Sequence, residues 1–327
     1  MNGRLQRHAE HMSVLVVGSV AYDSVKTAAG GRDGALGGSA TYFSIASSYF
    51  TSVTMVAVVG DDFRREHLEL LESHRIDVSG LQHLQGKTFR WTGTYGAEDI
   101  NRRETLDTQL NVFAHFSPKL SDKQRRHPYL FLANIAPKLQ LDVLSQMEAR
   151  PKIVALDTMN LWIEDEKSSL TRVVKAADVV FMDEGEARMF SGEINIVRTA
   201  KHILSLGPTT MVVKRGEHGA LLFTRDSIFA VPAFPLENVV DPTGAGDSFA
   251  GGFMGYLAST GDFRPEGFRK AAMLGSVMGS FAVESFSTDR LSSLTRSDIE
   301  RRVHAFEQLS LLTPLNESDS LPWHDSR

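Results

Sequence analysis

The sequence predicts an α/β fold: a mainly parallel central sheet, helices on both of its faces, and a small β lid. Three observations carry that prediction. Short runs rich in Val, Ile and Leu recur along the chain, segments of helical period separate them, and two stretches break the alternation with glycine-rich or aromatic and threonine-rich residues. Continuous apolar strands separated by helices are buried on both faces, which is the pattern of a parallel sheet.

In chain order, strands are expected at 14–17, 53–59, 129–133, 153–156, 179–182 and 211–213, and helices at 39–50, 64–75, 141–149, 184–190 and 197–206. Within 39–50, Ala40, Phe43, Ala46 and Phe50 share one face, as an amphipathic helix requires. The break at 26–36, KTAAGGRDGAL, is short, polar and Gly-rich. The break at 87–116 reads as a hairpin, with KTFRWTGTY, a polar turn EDINRRE, and TLDTQLNVFAHF, because aromatic and threonine residues favour strands. Extra β-structure in an α/β domain commonly covers a site, so lid segments are expected at about 24–36 and 86–116; an ordinary surface excursion is the alternative. Beyond these, 220–224 and 228–231 suit an antiparallel pair, and 247–258 and 268–285 are helical in pattern. One domain, 13–310, holds all of these elements, and the polar termini 1–12 and 313–327 are expected to be flexible.

Hydrophobic residues make up 42% and charged residues 23% of the 327 positions, enough to bury a sizeable core. A formal net charge of −5 offers no basic surface for nucleic acid or anionic membrane. The chain has no cysteine, which excludes disulfides, thiolate catalysis and Cys-rich zinc sites and suits a reducing compartment. Residues 1–12 lack the apolar stretch of a secretory signal, and no apolar run approaches the ~20 residues of a membrane helix. A cytoplasmic protein acting on a small molecule is the expectation.

The most informative stretch is 241–253, DPTGAGDSFAGGF. Pro242 stops any strand, and Gly244, Ala245 and Gly246 form a small-residue loop before a helix that opens near Asp247. A helix N-terminus carries unpaired N–H groups and the positive end of the dipole, and small residues let a phosphate approach it closely. A carboxylate at that mouth can take the proton of an attacking hydroxyl. The plainer alternative makes Asp247 an N-cap and the glycines a tight turn. Gly251 and Gly252 weigh against it, because helical glycine costs roughly 1 kcal/mol relative to alanine and points to close packing or close ligand approach.

This segment resembles the C-terminal signature of the PfkB (ribokinase-like) carbohydrate kinases. Further resemblances follow in order over about 14–290: VVGSVAYDSV, the pair Gly37–Gly38 before a helix, VVGDD, DEGE and VKRGEHG. The resemblance implies a ribokinase-like three-layer fold and an ATP- and Mg2+-dependent kinase of a small sugar or sugar-like hydroxyl compound. It implies Asp247 as base, Gly244, Ala245 and Gly246 as anion hole, and Asp23, Gly37 and Gly38 as hydroxyl readers. Glu186, with Asp183, would hold magnesium through water. Gly216 and Gly219 would border the nucleotide phosphates, with Ser276, Gly279 and Phe281 near the adenine, and Lys214 and Thr243 would be further cofactor contacts. Asp241 and Thr243 match positions that hold a monovalent cation such as K+ in many members.

Two positions depart from the family pattern. Asp183 stands where the N-x-x-E motif has Asn, and Tyr42 stands where many sugar-specific members have Asn. An aromatic ring there removes a hydroxyl-reading amide and offers a stacking face, which favours a nucleoside. Arg90, Asn134, Asp157 and Asn160, at strand ends or in the lid, are further candidate substrate contacts, with capping or turn roles as the alternative for each. Gly86–Lys87–Thr88 is not a P-loop, since Leu81 occupies its first glycine position and a strand-like run follows. Phe249 likewise breaks G-x-G-x-x-G. A nucleoside kinase and a non-catalytic ligand sensor are the rival readings, and the exposed edges of a β lid would suit a homodimer.

Overall fold

The computed structural model describes residues 12–96, 98 and 100–310. The termini expected to be flexible lie, Met12 aside, outside those residues. The chain begins with β1 (Ser13–Val17), passes through β2 (Ala21–Thr27) and β3 (Gly30–Gly37), and enters α1 (Ser39–Ser48). Then come β4 (Ser52–Gly60), α2 (Arg65–Ser73), β5 (Ile76–Leu84), β6 (Phe89–Tyr95), β7 (Arg103–Gln109), β8 (Tyr129–Leu132) and α3 (Pro137–Gln146). The middle holds β9 (Ile153–Asp157), α4 (Asn160–Asp165), α5 (Lys167–Ala176), β10 (Val179–Asp183), α6 (Glu184–Ser191), α7 (Ile196–Ser205) and β11 (Thr210–Lys214). The antiparallel pair β12 (Ala220–Thr224) and β13 (Ile228–Val231) precedes α8 (Ala245–Thr260), α9 (Pro265–Ala282), α10 (Asp289–Ser292) and α11 (Arg296–Ser310).

Nine strands form the central sheet in the order β13-β12-β11-β10-β9-β8-β1-β4-β5. It is parallel from β11 to β5 and antiparallel only at its β12–β13 edge. Its two faces alternate along each strand. In β1, Val14 and Val16 join the core beneath α1, α8 and α9, while Leu15 and Val17 join the core beneath α3, α5, α6 and α7. Three layers result. On the first face an aromatic chain locks α8 to the sheet: Phe43 stacks on Phe131 at 4.0 Å, and Phe181 meets Phe253 edge-on at 5.2 Å.

The lid is a separate four-stranded sheet, β3-β2-β6-β7. Its β2 follows β1 with no helix between them, so the chain leaves the core directly into the lid. The Gly-rich segment 26–36 is therefore largely strand, held by antiparallel pairing to β2. The second lid strand ends at Gln109, and 111–115 turns into a 3-10 helix instead of continuing. The helix expected at 141–149 starts earlier, with Pro137 in its first turn, where a missing N–H is no loss. Strands β2 and β5 were not expected, since their sequences AYDSVKT and IDVSGLQHL lack an apolar run, although β2 is largely buried. The helical glycines are packing features: a Cβ at Gly251 would press on the Phe43 carbonyl, and one at Gly252 on the Leu274 carbonyl.

Candidate active site

The site lies at the carboxyl ends of the parallel strands, under the lid, where ligands bind open α/β sheets. Its floor is the start of α8. Gly244 is the N-cap at φ 76°, and no side chain caps the helix. Asp247 therefore lies inside the first turn and is not the cap. Only glycine suits position 244, because a Cβ there would run into the Tyr42 ring as well as strain the backbone. Burial, with Asp157 nearby, pushes the Asp247 carboxyl up to about 7 against the opposing pull of Lys214 and Arg103. A carboxylate at that value is a competent base near neutral pH.

Lys214 ends β11 and Asp157 ends β9, with β10 between them in the sheet. The ammonium spans the gap, bonding both oxygens of Asp157 at 2.7 and 3.0 Å. It also lies over the start of α8, since a Cβ on Gly246 would sit 3.0 Å from Nζ. Burial opposes its charge, but Asp157 and Glu186, with Asp247, hold its pKa above the ordinary lysine value. Asp157 is 3% exposed and fully engaged by this cation and the Thr158 N–H. It is a partner of Lys214.

Asp23, on β2, stands over Gly37, where a Cβ would overlap its carboxylate. Burial and the Asp241 and Asp247 carboxylates push it up to about 7, while the Gly38 N–H draws it down. Tyr42 is 1% exposed with its ring against Gly244. The stacking face expected of it is thus covered, and its ring buttresses the loop at Gly244. Asp241 accepts N–H bonds from Thr243 at 2.9 Å and Ser287 at 3.4 Å. Those bonds tie 241–243 to the segment after α9, and a monovalent cation there would share the same oxygens.

Asp183 and Glu186 form a capping box at the start of α6: the Glu186 N–H donates to Asp183 Oδ1 at 2.7 Å, and the Asp183 N–H to Glu186 Oε2 at 2.8 Å. Burial, then Asp183, raises Glu186 to about 8. One oxygen of each carboxylate lies outside the capping bonds. Among the described residues no group of three or more His, Asp or Glu is arranged to hold a metal ion. The free oxygen on each of these two carboxylates would suit a divalent ion held through water. The helix start, the cradle over Gly244 and the Lys214 ammonium fit a polyphosphate.

In the turn 216–219, Gly216 (φ 54°) is touched by the lid, since a Cβ there would collide with Asn101. Gly219 (φ 80°) packs on the backbone of Val231. The three residues expected near an adenine make these contacts. Ser276 donates to the Pro232 carbonyl at 2.8 Å, Gly279 backs onto Ala245, and Phe281 is 1% exposed beneath the Arg302 guanidinium at 4.0 Å. Phe281 is thereby a core residue with no face to offer a base.

Of the remaining candidates, Arg90 pairs with Asp62 at 2.8 Å and covers the Tyr22 ring. Asn134 accepts the Trp162 indole N–H at 2.8 Å, and Asn160 is exposed at the start of α4. Two residues not singled out from sequence face the site from the lid. Tyr95 accepts a bond from Thr243 Oγ1 at 3.2 Å, and burial pushes its hydroxyl up to about 12. Arg103, exposed on β7, pulls on the carboxyls of both Asp23 and Asp247. The sequence signal for Arg103 was an arginine pair closing the lid turn, and for Tyr95 an aromatic ending a lid strand.

Residues 12–295 match the profile of the pfkB family carbohydrate kinases. The chain belongs to that family. It is a PfkB-type phosphotransferase with an alcohol group as acceptor. This kinase is 31% identical over 257 residues to the cytidine kinase of Thermococcus kodakarensis, covering 74% of its own chain and 87% of that relative. Its fold resembles a ribokinase II from E. coli solved with ATP and Mg2+, at TM-score 0.74 and 18% identity over 91% of the chain and 99% of that structure. It also resembles a nucleoside kinase of Burkholderia thailandensis solved with inosine, at TM-score 0.72 and 19% identity over 91% and 98%. Among the described residues no helix is long and apolar enough to cross a membrane.

Proposed function

We propose that this kinase transfers the terminal phosphoryl group of ATP to a sugar hydroxyl of a nucleoside, with Asp247 as the base. The observation that carries the reading is Asp247 in the first turn of α8, at a helix start that no side chain caps and beside the Lys214 ammonium. The nucleoside is favoured by the cytidine kinase at 31% identity and by the inosine-bound structural relative.

Asp23 and the Gly38 N–H orient the acceptor's hydroxyls. Asp247 takes the proton as the acceptor oxygen bonds to phosphorus and the bond to the departing ADP oxygen breaks. The amides of the first α8 turn receive the charge on the moving group. A bound Mg2+, held through water by Glu186 and Asp183, would neutralise the nucleotide oxygens. Tyr95 and Arg103 close the roof and keep water out. The working unit is residues 13–310, cytoplasmic, and the exposed β7 edge suits pairing between two copies.

The test is ADP release from ATP across cytidine, inosine, ribose, fructose and inositol. The reading expects at least tenfold higher kcat/KM for a nucleoside than for any free sugar. Preference for a free sugar would overturn the nucleoside assignment, and ligand binding without turnover would overturn the kinase mechanism in favour of a sensor.

A further inference from the structure

We propose that Lys214 is a catalytic residue that binds the phosphoryl group in transfer, and that Asp157 is the positioning residue that aims it and holds it off Asp247. This rests on the kinase reading above and extends it to a pair of residues acting together.

The geometry is that of a bracket across the sheet. The two side chains leave the ends of β9 and β11 and meet above β10, whose residues Phe181 and Asp183 lie in register with Asp157 and Lys214 respectively. Their side chains are 4% and 19% exposed. A buried ion pair is seldom the most stable filling for such a gap, because desolvation offsets its attraction. A structural role alone explains it poorly. Its cation, however, projects over Gly246 at the mouth of the anion hole. A second side of the argument concerns the base. Lys214 is near three carboxylates, Asp157, Glu186 and Asp247. If it paired with Asp247 it would quench the base, yet its ammonium bonds both oxygens of Asp157. The bidentate grip goes with Asp247 forming no ion pair among the described residues, while it keeps a positive charge within reach of the arriving phosphate.

Three variants separate this from a merely structural bridge. Lys214→Met is expected to lose about 100-fold or more in kcat, the scale of removing one charge-stabilising donor, with acceptor KM little changed. By calorimetry it should also lose its preference for ATP over AMP, since only the distal phosphates reach the anion hole. Asp157→Asn should shift the rising limb of the pH profile to lower pH, because the freed ammonium can now pair with Asp247. The double variant Lys214→Met with Asp157→Asn removes the uncompensated charge, so it should recover the melting temperature lost by Lys214→Met without recovering turnover. Recovery of turnover together with stability would overturn the proposal, as would unchanged ATP-over-AMP discrimination in Lys214→Met. If the wild type phosphorylated no acceptor, the kinase reading would fail instead. The calorimetric comparison would still report whether Lys214 meets the distal phosphates.

Discussion

The floor of the site and its lid are built on different physical terms. The floor is buried backbone and buried charge: Gly244 pressed against Tyr42, Asp157 clasping Lys214, and Asp247 in a helix turn whose following residues are wholly in the core. Every residue of β7 in the lid is exposed, and the lid reaches the floor through a few side chains such as Tyr95 and Arg103. Segments with little burial open at low cost, whereas a packed floor cannot shift without disturbing the core. On the proposed reading, phosphoryl chemistry would sit on the rigid part, with acceptor recognition and closure on the less buried lid.

Substitutions on the two sides should therefore fail differently. Asp247→Asn should have the largest effect, about a thousandfold on kcat, within the range for a general base, with ATP affinity preserved in a calorimetric titration. Gly244→Ala comes next. Its Cβ meets the Tyr42 ring at a positive φ, which should cost about 2–3 kcal/mol of stability, seen as a lowered melting temperature together with lost turnover. Arg103→Ala should lower kcat/KM about tenfold, the scale of one charge-assisted hydrogen bond, with no change in melting temperature because the residue is exposed. The smallest effect is expected from Tyr95→Phe, which loses only the bond to Thr243 and should change KM by a few-fold at most. A lid variant that unfolds the protein, or a floor variant that alters only KM, would break the division.

The floor was legible in the sequence because its parts are neighbours in the chain. DPTGAGDSFAGGF holds loop, helix start and base within one stretch, and the hydrophobic alternation gave the parallel sheet around it. Side-chain partners were not legible. Asp157 and Lys214 lie 57 positions apart, and Tyr95 and Thr243 lie 148 apart, so nothing local marks either pair. The same limit explains Tyr42 and Phe281. An aromatic residue's type does not say whether its face is open, and here Gly244 covers one ring and Arg302 the other. The polar strand β2 was missed because its stability comes from pairing with β3 and β6 and not from an apolar run.

The pH dependence of kcat tests the central claim most directly. Burial raises Asp247 to about 7, and a base must be ionised to accept a proton. Turnover at saturating ATP and acceptor should fall about tenfold per unit as pH drops below that value and level off above it. The residual turnover of Asp247→Asn should be flat over the same range. An Asp247→Asn enzyme that kept the wild-type rising limb would contradict Asp247 as the base.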